Sequence, residues 1–579
     1  MTMLTKWGAV LDRSCPLPEY PRPQLRRESF YNLNGVWDYA VTPSGDEPEV
    51  WDGKIVVPFS PEAPLSGAAR GPAKDKYLHY RRGFTLPEGF QKSRVLLHFG
   101  AVDQIAEVFV NGVSAAKHSG GYWPFSADIT SLLRKGENIL RVTVRDNADD
   151  PTFAYGKQRY KRGGMWYTAQ SGIWQTVWLE SVPEVYVKSL RITPEFDEAR
   201  VRIELETALE SGAAITCDVR AADGSFVAGS WAKGGVCVVP LPGFRAWTPD
   251  DPYLYTLDIT CGEDRVESYF AMRKFSYVEL GGRKVFGLNN APLFHNGLLD
   301  QGYYPDGLLT PPSDEAMVND IETMKRCGFN MLRKHIKIEP LRWYYHCDRL
   351  GMIVWQDMVS GGQPYSFLHV SALPTLGKVD LPDQDAKPYG RSGVLSRARF
   401  RREMADTVRL LYNCPCIALW TVFNEGWGQF DALGMANELK KLDPTRFIDH
   451  ASGWQDQGYE EMKSRHIYFR PVKLKNDGRA LALTEYGGYI LAVDGHRWTD
   501  KVFGYRICRN SAALAHDYEK LMLGQVLPHI RKEGLTAAVY TQITDVEEEL
   551  NGLMTYDREV LKIPEETLRE INAALRFDA

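Results

Sequence analysis

Beyond about residue 276 the sequence settles into one rhythm: a short apolar run, a helix-length amphipathic segment, then another apolar run. That alternation implies parallel strands joined by crossover helices, and it constrains the fold more tightly than any composition does. The runs PLFHNGLLD, NMLRKH, GMIVWQDM, CIALWTVFN, FIDHASGW, RHIYF, ALALTEYGG and AAVYTQITD make eight. They fit into about 300 residues, the strand count and length of a (β/α)8 barrel. CIALWTVFN lacks period-two alternation, as expected of a strand covered on both faces. The helices carry end signals. Ser313 precedes a face of Met317, Ile321 and Met324 that stops at Gly328, PLRWYYHCDRL ends at Gly351, and a long helix is expected from about Ser396 to Tyr412.

Ahead of this region the pattern is all β. Up to about residue 180, Ser93–Gly100 and Ile105–Val110 lead into Asn111-Gly112, a tight-turn pair, and Leu140, Val142 and Val144 alternate with Arg141, Thr143 and Arg145. After Ser181-Val182-Pro183 the strands VYVKSLRITPEF, ARVRIELETAL, AAITCDVRAADG and YLYTLDIT suit a small immunoglobulin-like sandwich, although no Cys–Trp–Cys signature is present. The expected organisation is multidomain β plus α/β. A jelly-roll-like β-sandwich occupies 1–182, an immunoglobulin-like β-sandwich 183–275, and a C-terminal (β/α)8 TIM barrel 276–579.

Composition removes several function classes. The 579 residues carry 69 Lys plus Arg against 74 Asp plus Glu, a net −5, so no basic footprint for nucleic acid or anionic membrane exists. No run approaches the roughly 18 apolar residues of a membrane helix. The first twenty residues lack the apolar core of a secretion signal. The nine cysteines are odd in number and scattered, and Cys414-Pro415-Cys416 has the wrong spacing for zinc. Free thiols and a cytoplasmic location are expected. The 15 Trp and 29 Tyr are generous, enough for large cores or for sugar-stacking surfaces.

In such barrels the reactive side chains stand at the C-terminal strand ends. In order these are His295, Asp300, Arg333, His335, Gln356, Asp357, Asn424, Glu425, Trp454, Tyr468, Glu485, Tyr486, Gln542 and Asp545. Glu425 ends the fourth strand and Glu485 the seventh, which face each other across the mouth. An isolated Glu after a strand is ordinarily an exposed loop residue or a helix N-terminal charge. Two carboxyls facing one cleft are what glycosidic cleavage requires.

The order of motifs sharpens this. VFVNG, GGYWPFSADIT, GENILRVTV and GIWQTVWLE resemble the N-terminal sugar-binding sandwich of glycoside hydrolase family 2, the group of β-galactosidases, β-glucuronidases and β-mannosidases. DIETMKRCGFNMLRKHIKIEP and YYHCDRLGMIVWQDM resemble its second and third barrel strands. FNEGWG and TEYGG resemble its acid and nucleophile segments, and YTQITDVEEELNGLMTYDREVLK its eighth strand and exit loop. The resemblance implies Glu425 as general acid/base and Glu485 as nucleophile, with the negative charge of Glu485 favouring a protonated Glu425. It implies Asn424 on the sugar 2-hydroxyl, with turn capping as the alternative. It also implies His335 facing substrate and Tyr468 orienting Glu485, with rim packing as the rival for the tyrosine. Trp454 and Trp355 are candidate stacking floors, core packing being the rival for Trp355. Asp357 and Gln542 join the substrate-binding set.

The departures from the family bear on specificity. No Asn-x-Lys occurs, the pair with which β-glucuronidases grip a uronate carboxylate, so a neutral β-galactoside is expected. Arg497, Arg506 and Arg509 after strand seven could grip a carboxylate instead, or could be solvated loop arginines. Large β-galactosidases of the family bind magnesium near the acid/base. No second Glu stands beside His335, so neither metal nor other cofactor is expected. The segment Ser360–Arg391, about thirty residues long, is expected to wall the leaving-group side. The implied partner is a small-molecule or oligosaccharide β-glycoside, and homo-oligomerisation stays open. Within the family a β-glucuronidase, β-galacturonidase or β-mannosidase are rivals. A non-catalytic carbohydrate-binding protein is the rival from another class.

Overall fold

The computed structural model describes residues 3–68, 70–71, 74–209, 214–376 and 380–578. Met1 and Thr2 of the N-terminal reading, Ala213 at the head of AAITCDVRAADG, and 377–379 of the expected cleft wall lie outside the described residues.

Two antiparallel sheets face each other at the N-terminal end. The larger has six strands in the order Gly53–Val57, Gly35–Thr42, Tyr77–Thr85, Glu137–Arg145, Ile105–Val110, Val113–Ser119. The smaller has four, Tyr31–Asn32, Val177–Val182, Arg94–Phe99, Phe125–Asp128. The Asn111-Gly112 turn has φ of 51° and 85°, the left-handed pair that matches strand twist in a two-residue hairpin. Leu140, Val142 and Val144 point into the core as their alternation predicts. The opposite face is not open, however. Arg141 and Thr143 are buried as well, the guanidinium lying 3.8 Å from the Phe109 ring centre.

Seven strands between 187 and 270 make a second sandwich, three (Val187–Glu195, Arg200–Thr207, Val236–Pro240) against four (Phe226–Lys233, Ala214–Arg220, Tyr255–Cys261, Asp264–Phe270). Their inward residues, Val201, Ile203, Val219, Leu257 and Ile259 among them, form its core.

The eight apolar runs form one parallel sheet: β1 His295–Asp300, β2 Met331–Lys334, β3 Ile353–Asp357, β4 Ile417–Thr421, β5 Phe447–Asp449, β6 Met462–Ile467, β7 Ala480–Gly487 and β8 Leu535–Thr541. Its hydrogen-bonded order is β5-β4-β3-β2-β1-β8-β7-β6, closed between β1 and β8. At the β5–β6 seam side chains replace the ladder, Ser464 Oγ lying 3.0 Å from Asp449 Oδ1 and 3.1 Å from the Ala451 carbonyl. β6 starts three residues before RHIYF and ends at Ile467, so Tyr468 stands just past the strand. Inward Ser464 and His466 are polar, and that disguised the strand's alternation.

The helices end where the sequence signals them. Ser313 Oγ accepts the Ala316 N–H at the head of Asp314–Arg326, and Gly351 (φ 74°) terminates Leu341–Leu350. The long helix is Val394–Leu411. A small sheet, Phe275–Leu280, Arg283–Leu288 and Ala291–Pro292, plugs the lower end of the barrel, Phe286 stacking on Phe447 at 4.2 Å. Met331, Ile353, Ala418 and Met462 fill the layer above it. Polar side chains are therefore displaced to the opposite end, the C-terminal mouth.

The first sandwich reaches that mouth. Tyr155 N–H and Gly156 N–H donate to the Ser360 carbonyl, and Tyr155 hydroxyl to the Gly362 carbonyl at 2.7 Å. Gly164 N–H and Thr168 N–H donate to Glu548 and Glu547 at 2.8 Å each. Among the described residues no helix is long and apolar enough to cross a membrane.

Candidate active site

Glu425 lies four residues past β4 with φ of 55°, a left-handed conformation that a non-glycine residue seldom adopts. Its own backbone is clamped to hold it there. The N–H donates to the Ser452 carbonyl at 2.9 Å, and the carbonyl accepts from Trp454 Nε1 at 2.9 Å. Gly428 lets the Ser360–Arg391 segment close on this turn. Its φ is 71°, and a Cβ there would stand 2.6 Å from Arg391 Nη2 and 2.8 Å from the Gly361 carbonyl.

Glu485 lies inside β7, where the ladder slips a residue against both neighbours, between Arg465 and His466 on one side and between Leu483 and Tyr486 on the other. Irregularities of this kind re-aim a side chain. Here one carboxylate oxygen meets Arg333 Nη1 at 3.0 Å and the other the Tyr468 hydroxyl at 2.5 Å. The Tyr505 ring stacks on Tyr468 at 3.8 Å and holds the phenol in place. Burial, then the charge of Glu485, pushes the Tyr468 phenol well above its ordinary pKa, so it remains a donor.

Arg333 is fully buried and joins the site together. Besides Glu485 it donates to the Thr484 carbonyl (3.1 Å), Asp357 Oδ1 (3.0 Å) and Asn424 Oδ1 (2.8 Å). A guanidinium has no acceptor, so Asn424 must turn its oxygen to Arg333, which leaves the amide N–H groups facing the cleft. His335 Nδ1 lies 2.8 Å from Asp357 Oδ2. Burial works against the Asp357 carboxylate, but Arg333 and His335 outweigh it and hold its pKa below the usual range. His335 is itself lowered by burial.

The Glu425 carboxyl differs from its neighbours. Its side chain keeps 22% of its surface accessible, yet the carboxyl sits deep enough that desolvation raises its pKa against Lys157, His335 and Arg333. Burial is the leading cause of that rise, in place of the Glu485 charge invoked from sequence. Oxygens of Glu425 and Glu485 come within 4.8 Å of each other. Between them stands His466, its Nδ1 2.8 Å from Glu425 and 3.6 Å from Glu485. These three groups could close on a cation, but His466 Nδ1 is already engaged with Glu425, so no metal is assigned.

The remaining sequence candidates divide. Trp454 is half-buried, donates to the carbonyls of Glu425 and Val370, and presents its ring 5.4 Å from His466, at the cleft. Gln542 requires a correction. It is fully buried, its oxygen accepts from Gln301 and its nitrogen donates to Asn551, both at 2.9 Å, so neither amide atom faces substrate. Trp355 is core, donating to His295 Nδ1. The three arginines are not at the carboxylates. Arg497 pairs with Asp494 and Asp500, and Arg506 with Asp517 over the Tyr489 ring, while Arg509 is exposed. The cause is local: Tyr489–Ile490 pairs with Arg506–Ile507 as a short parallel ladder that turns Arg506 outward.

Sequence reasoning gave Arg333 no role and passed over His466, Tyr505, Lys157 and Glu549. His466 and Arg333 are inward residues two before the strand-end candidates Tyr468 and His335, a signal available once register is known. Lys157 comes from the first sandwich. Its ammonium makes no hydrogen bond or ion pair among the described residues, lies 5.7 Å from the Trp166 ring, and acts electrostatically on Glu425 and Glu549. Glu549 is buried, accepts from the Tyr167 hydroxyl, and shares the field of Glu485.

Two β-sandwiches ahead of a (β/α)8 barrel, with paired carboxyls after strand four and within strand seven, define the architecture of a barrel glycoside hydrolase. Three family profiles agree: "Glycosyl hydrolases family 2, sugar binding domain" over 63–183, "Glycosyl hydrolases family 2" over 185–273, and "Glycosyl hydrolases family 2, TIM barrel domain" over 311–473. The chain belongs to glycoside hydrolase family 2. Among curated relatives, a β-galactosidase of Thermoanaerobacter pseudethanolicus is 25% identical over 63% of this chain and 47% of its own length. A β-glucuronidase of Paenibacillus borealis is 22% identical over 82% and 85%. This chain thus spans about half the length of the β-galactosidase it matches. Among solved structures, an uncultured Clostridium sp. β-glucuronidase superposes with a TM-score of 0.75 at 18% identity, covering 95% of this chain and 99% of that one. A family 2 β-galacturonidase from Eisenbergiella tayi gives 0.70 at 18%, covering 97% and 100%. These likenesses establish the fold.

Proposed function

We propose that this protein is a retaining, exo-acting β-glycosidase with Glu485 as nucleophile and Glu425 as general acid/base. The observation that carries the reading is that an oxygen of each carboxyl lies within 4.8 Å of an oxygen of the other, with His466 Nδ1 between them. Inverting enzymes need about 6.5–9.5 Å to admit a water between the groups, retaining enzymes about 5–5.5 Å. In the first step the Glu485 carboxylate, aligned by Arg333 and Tyr468, attacks the anomeric carbon and forms a glycosyl ester. Glu425 gives its proton to the departing oxygen. In the second step Glu425 takes a proton from water, which displaces Glu485. The Asn424 N–H groups, turned to the cleft by Arg333, would hold the sugar 2-hydroxyl as charge develops on the ring.

For the sugar, a terminal neutral β-galactoside is the first reading. It rests on the missing Asn-x-Lys pair and on the three arginines, of which Arg497 and Arg506 are paired with aspartates and Arg509 is exposed away from the carboxylates. A β-uronide is the second reading, favoured by the unpaired Lys157 ammonium and by curated relatives named β-glucuronidase. A panel of nitrophenyl β-galactoside, β-glucuronide, β-galacturonide, β-mannoside and β-glucoside separates them by kcat/KM. The catalytic assignment is tested by Glu485→Gly with azide. The variant should be inactive, and azide should restore turnover of an activated aryl glycoside and yield the α-glycosyl azide. A β-azide would place the nucleophile elsewhere.

A further inference from the structure

His466 is completely enclosed and stands where no sequence motif pointed. It sits at the irregularity of β6 against β7, and the chain makes room for it at Gly453 (φ 93°), where a Cβ would come within 2.5 Å of the imidazole. Its two nitrogens have different surroundings. Nε2 lies 3.3 Å from Ser452 Oγ. The Ser452 hydroxyl donates to Thr484 Oγ1 at 3.0 Å, and the Thr484 hydroxyl to the Arg465 carbonyl at 3.5 Å. With its proton committed to Thr484, Ser452 can only accept from the ring, so Nε2 carries the hydrogen of the neutral imidazole. Nδ1 is then a bare lone pair, 2.8 Å from Glu425 Oε1.

We propose that His466 is a positioning residue for the acid/base, a neutral imidazole held as the Nε2–H tautomer so that Nδ1 accepts the Glu425 carboxyl proton and keeps that carboxyl protonated until substrate takes the proton. The proposal rests on the assignment of Glu425 above. Its consequence runs through both half-reactions. At rest the Nδ1 lone pair stabilises the acid. Once the proton has gone to the leaving group, the same lone pair faces a carboxylate oxygen with no hydrogen between them. That disfavours the anion and makes it a stronger base toward the water of the second step. No atom of His466 is transferred and its own protonation does not change. Burial, which depresses its pKa to about 3, keeps it neutral. The other titratable groups acting on Glu425 are Lys157 from the sandwich loop, Arg333 and His335 at β2, Glu485 on β7, and the phenols of Tyr365, Tyr468 and Tyr505. The two cations and His335 favour its anion and Glu485 opposes it, so the imidazole is the group that decides by contact.

The test is the basic limb of the kcat/KM pH profile for His466→Asn, measured on a poor leaving group and on a dinitrophenyl glycoside. The asparagine amide can donate to Glu425 and stabilise its anion. The limb on the poor leaving group should therefore move down by about one pH unit or more, the size of one hydrogen bond to a charged group. The dinitrophenyl glycoside needs no proton and its limb should stay where it is. Ser452→Ala, which frees the tautomer without touching the ring, should move the limb in the same direction by less, and it covers the case in which His466→Asn does not fold. A uniform loss on both substrates with an unmoved limb, or a limb that rises, overturns the proposal. If wild type itself shows no difference in limb between the two substrates, the acid/base assignment of Glu425 fails instead.

Discussion

The barrel mouth and the first sandwich both bury carboxyl groups, and a neighbouring guanidinium decides which of two opposite fates each one meets. In the sandwich Glu62, Asp103 and Asp146 have no cation in contact among the described residues, and desolvation raises all three, Glu62 and Asp103 to about 7 and Asp146 well above its ordinary value. In the mouth Asp357 is equally buried but touches Arg333, and it is held as an anion. Burial alone protonates a carboxyl; burial against a guanidinium ionises it. Glu425 is the instructive case, because it lies in the mouth but lacks a cation within hydrogen-bonding reach, and so behaves like a sandwich acid. Arg333 hydrogen-bonds Glu485, and among the described residues it makes no such bond to Glu425.

The largest effect that would break this comparison is expected at Glu425. Glu425→Ala should lose about 10²–10⁴-fold in kcat/KM on glycosides with poor leaving groups. On dinitrophenyl glycosides, which need no proton, glycosylation should be nearly unchanged. Equal losses on both would show that Glu425 is not the acid. Its raised pKa also fixes a sign: activity on poor leaving groups falls as pH rises through that value, because the proton to be donated is lost.

Removing the cation should make the mouth resemble the sandwich. Arg333→Met leaves Asp357 and Glu485 without their partner, at a cost of about 3–5 kcal/mol in stability, read by urea unfolding. Its activity should fall further than its stability explains, since Glu485 loses the hydrogen bond that aligns it. A variant of wild-type stability would deny Arg333 its central place.

The sandwich offers the reciprocal experiment. Asp103 is raised from the ordinary carboxylate range to about 7. The unfolded chain gives up that proton at about pH 4 while the folded one keeps it, so stability is lost as pH rises toward 7, on the order of 4 kcal/mol. Asp103→Asn removes the titration and can still accept from Gln158 Nε2, so its stability should decline less across that range. Parallel pH profiles for variant and wild type would mean that Asp103 is ionised in the fold.

The smallest effect sharpens the sugar. Lys157→Met should change kcat/KM for a neutral β-galactoside less than about threefold. A loss beyond tenfold confined to a uronide, about 1.4 kcal/mol, would assign the substrate to the second reading.

The sequence by itself determined the elements and singled out the two carboxyls, Glu425 and Glu485, that the structure brings together at the mouth. Helix ends at Ser313 and Gly351 are set by local capping chemistry, and the barrel by the recurrence of eight apolar runs, both of which act over a few residues and can be read in order along the chain. It placed Glu425 and Glu485 because a strand end is a local feature too. What only the tertiary structure decided is what surrounds them. Arg333 reaches three strands at once, His466 depends on a one-residue slip in β6 and on the space left by Gly453, and Lys157 arrives from a different sandwich. The same limit explains the arginines after strand seven and Gln542, right in residue type but turned away by a local ladder or closed into a buried amide network. A side chain's type is written in the sequence. Its direction and its partners are fixed by register and packing between segments hundreds of residues apart, and a protonation state follows from those.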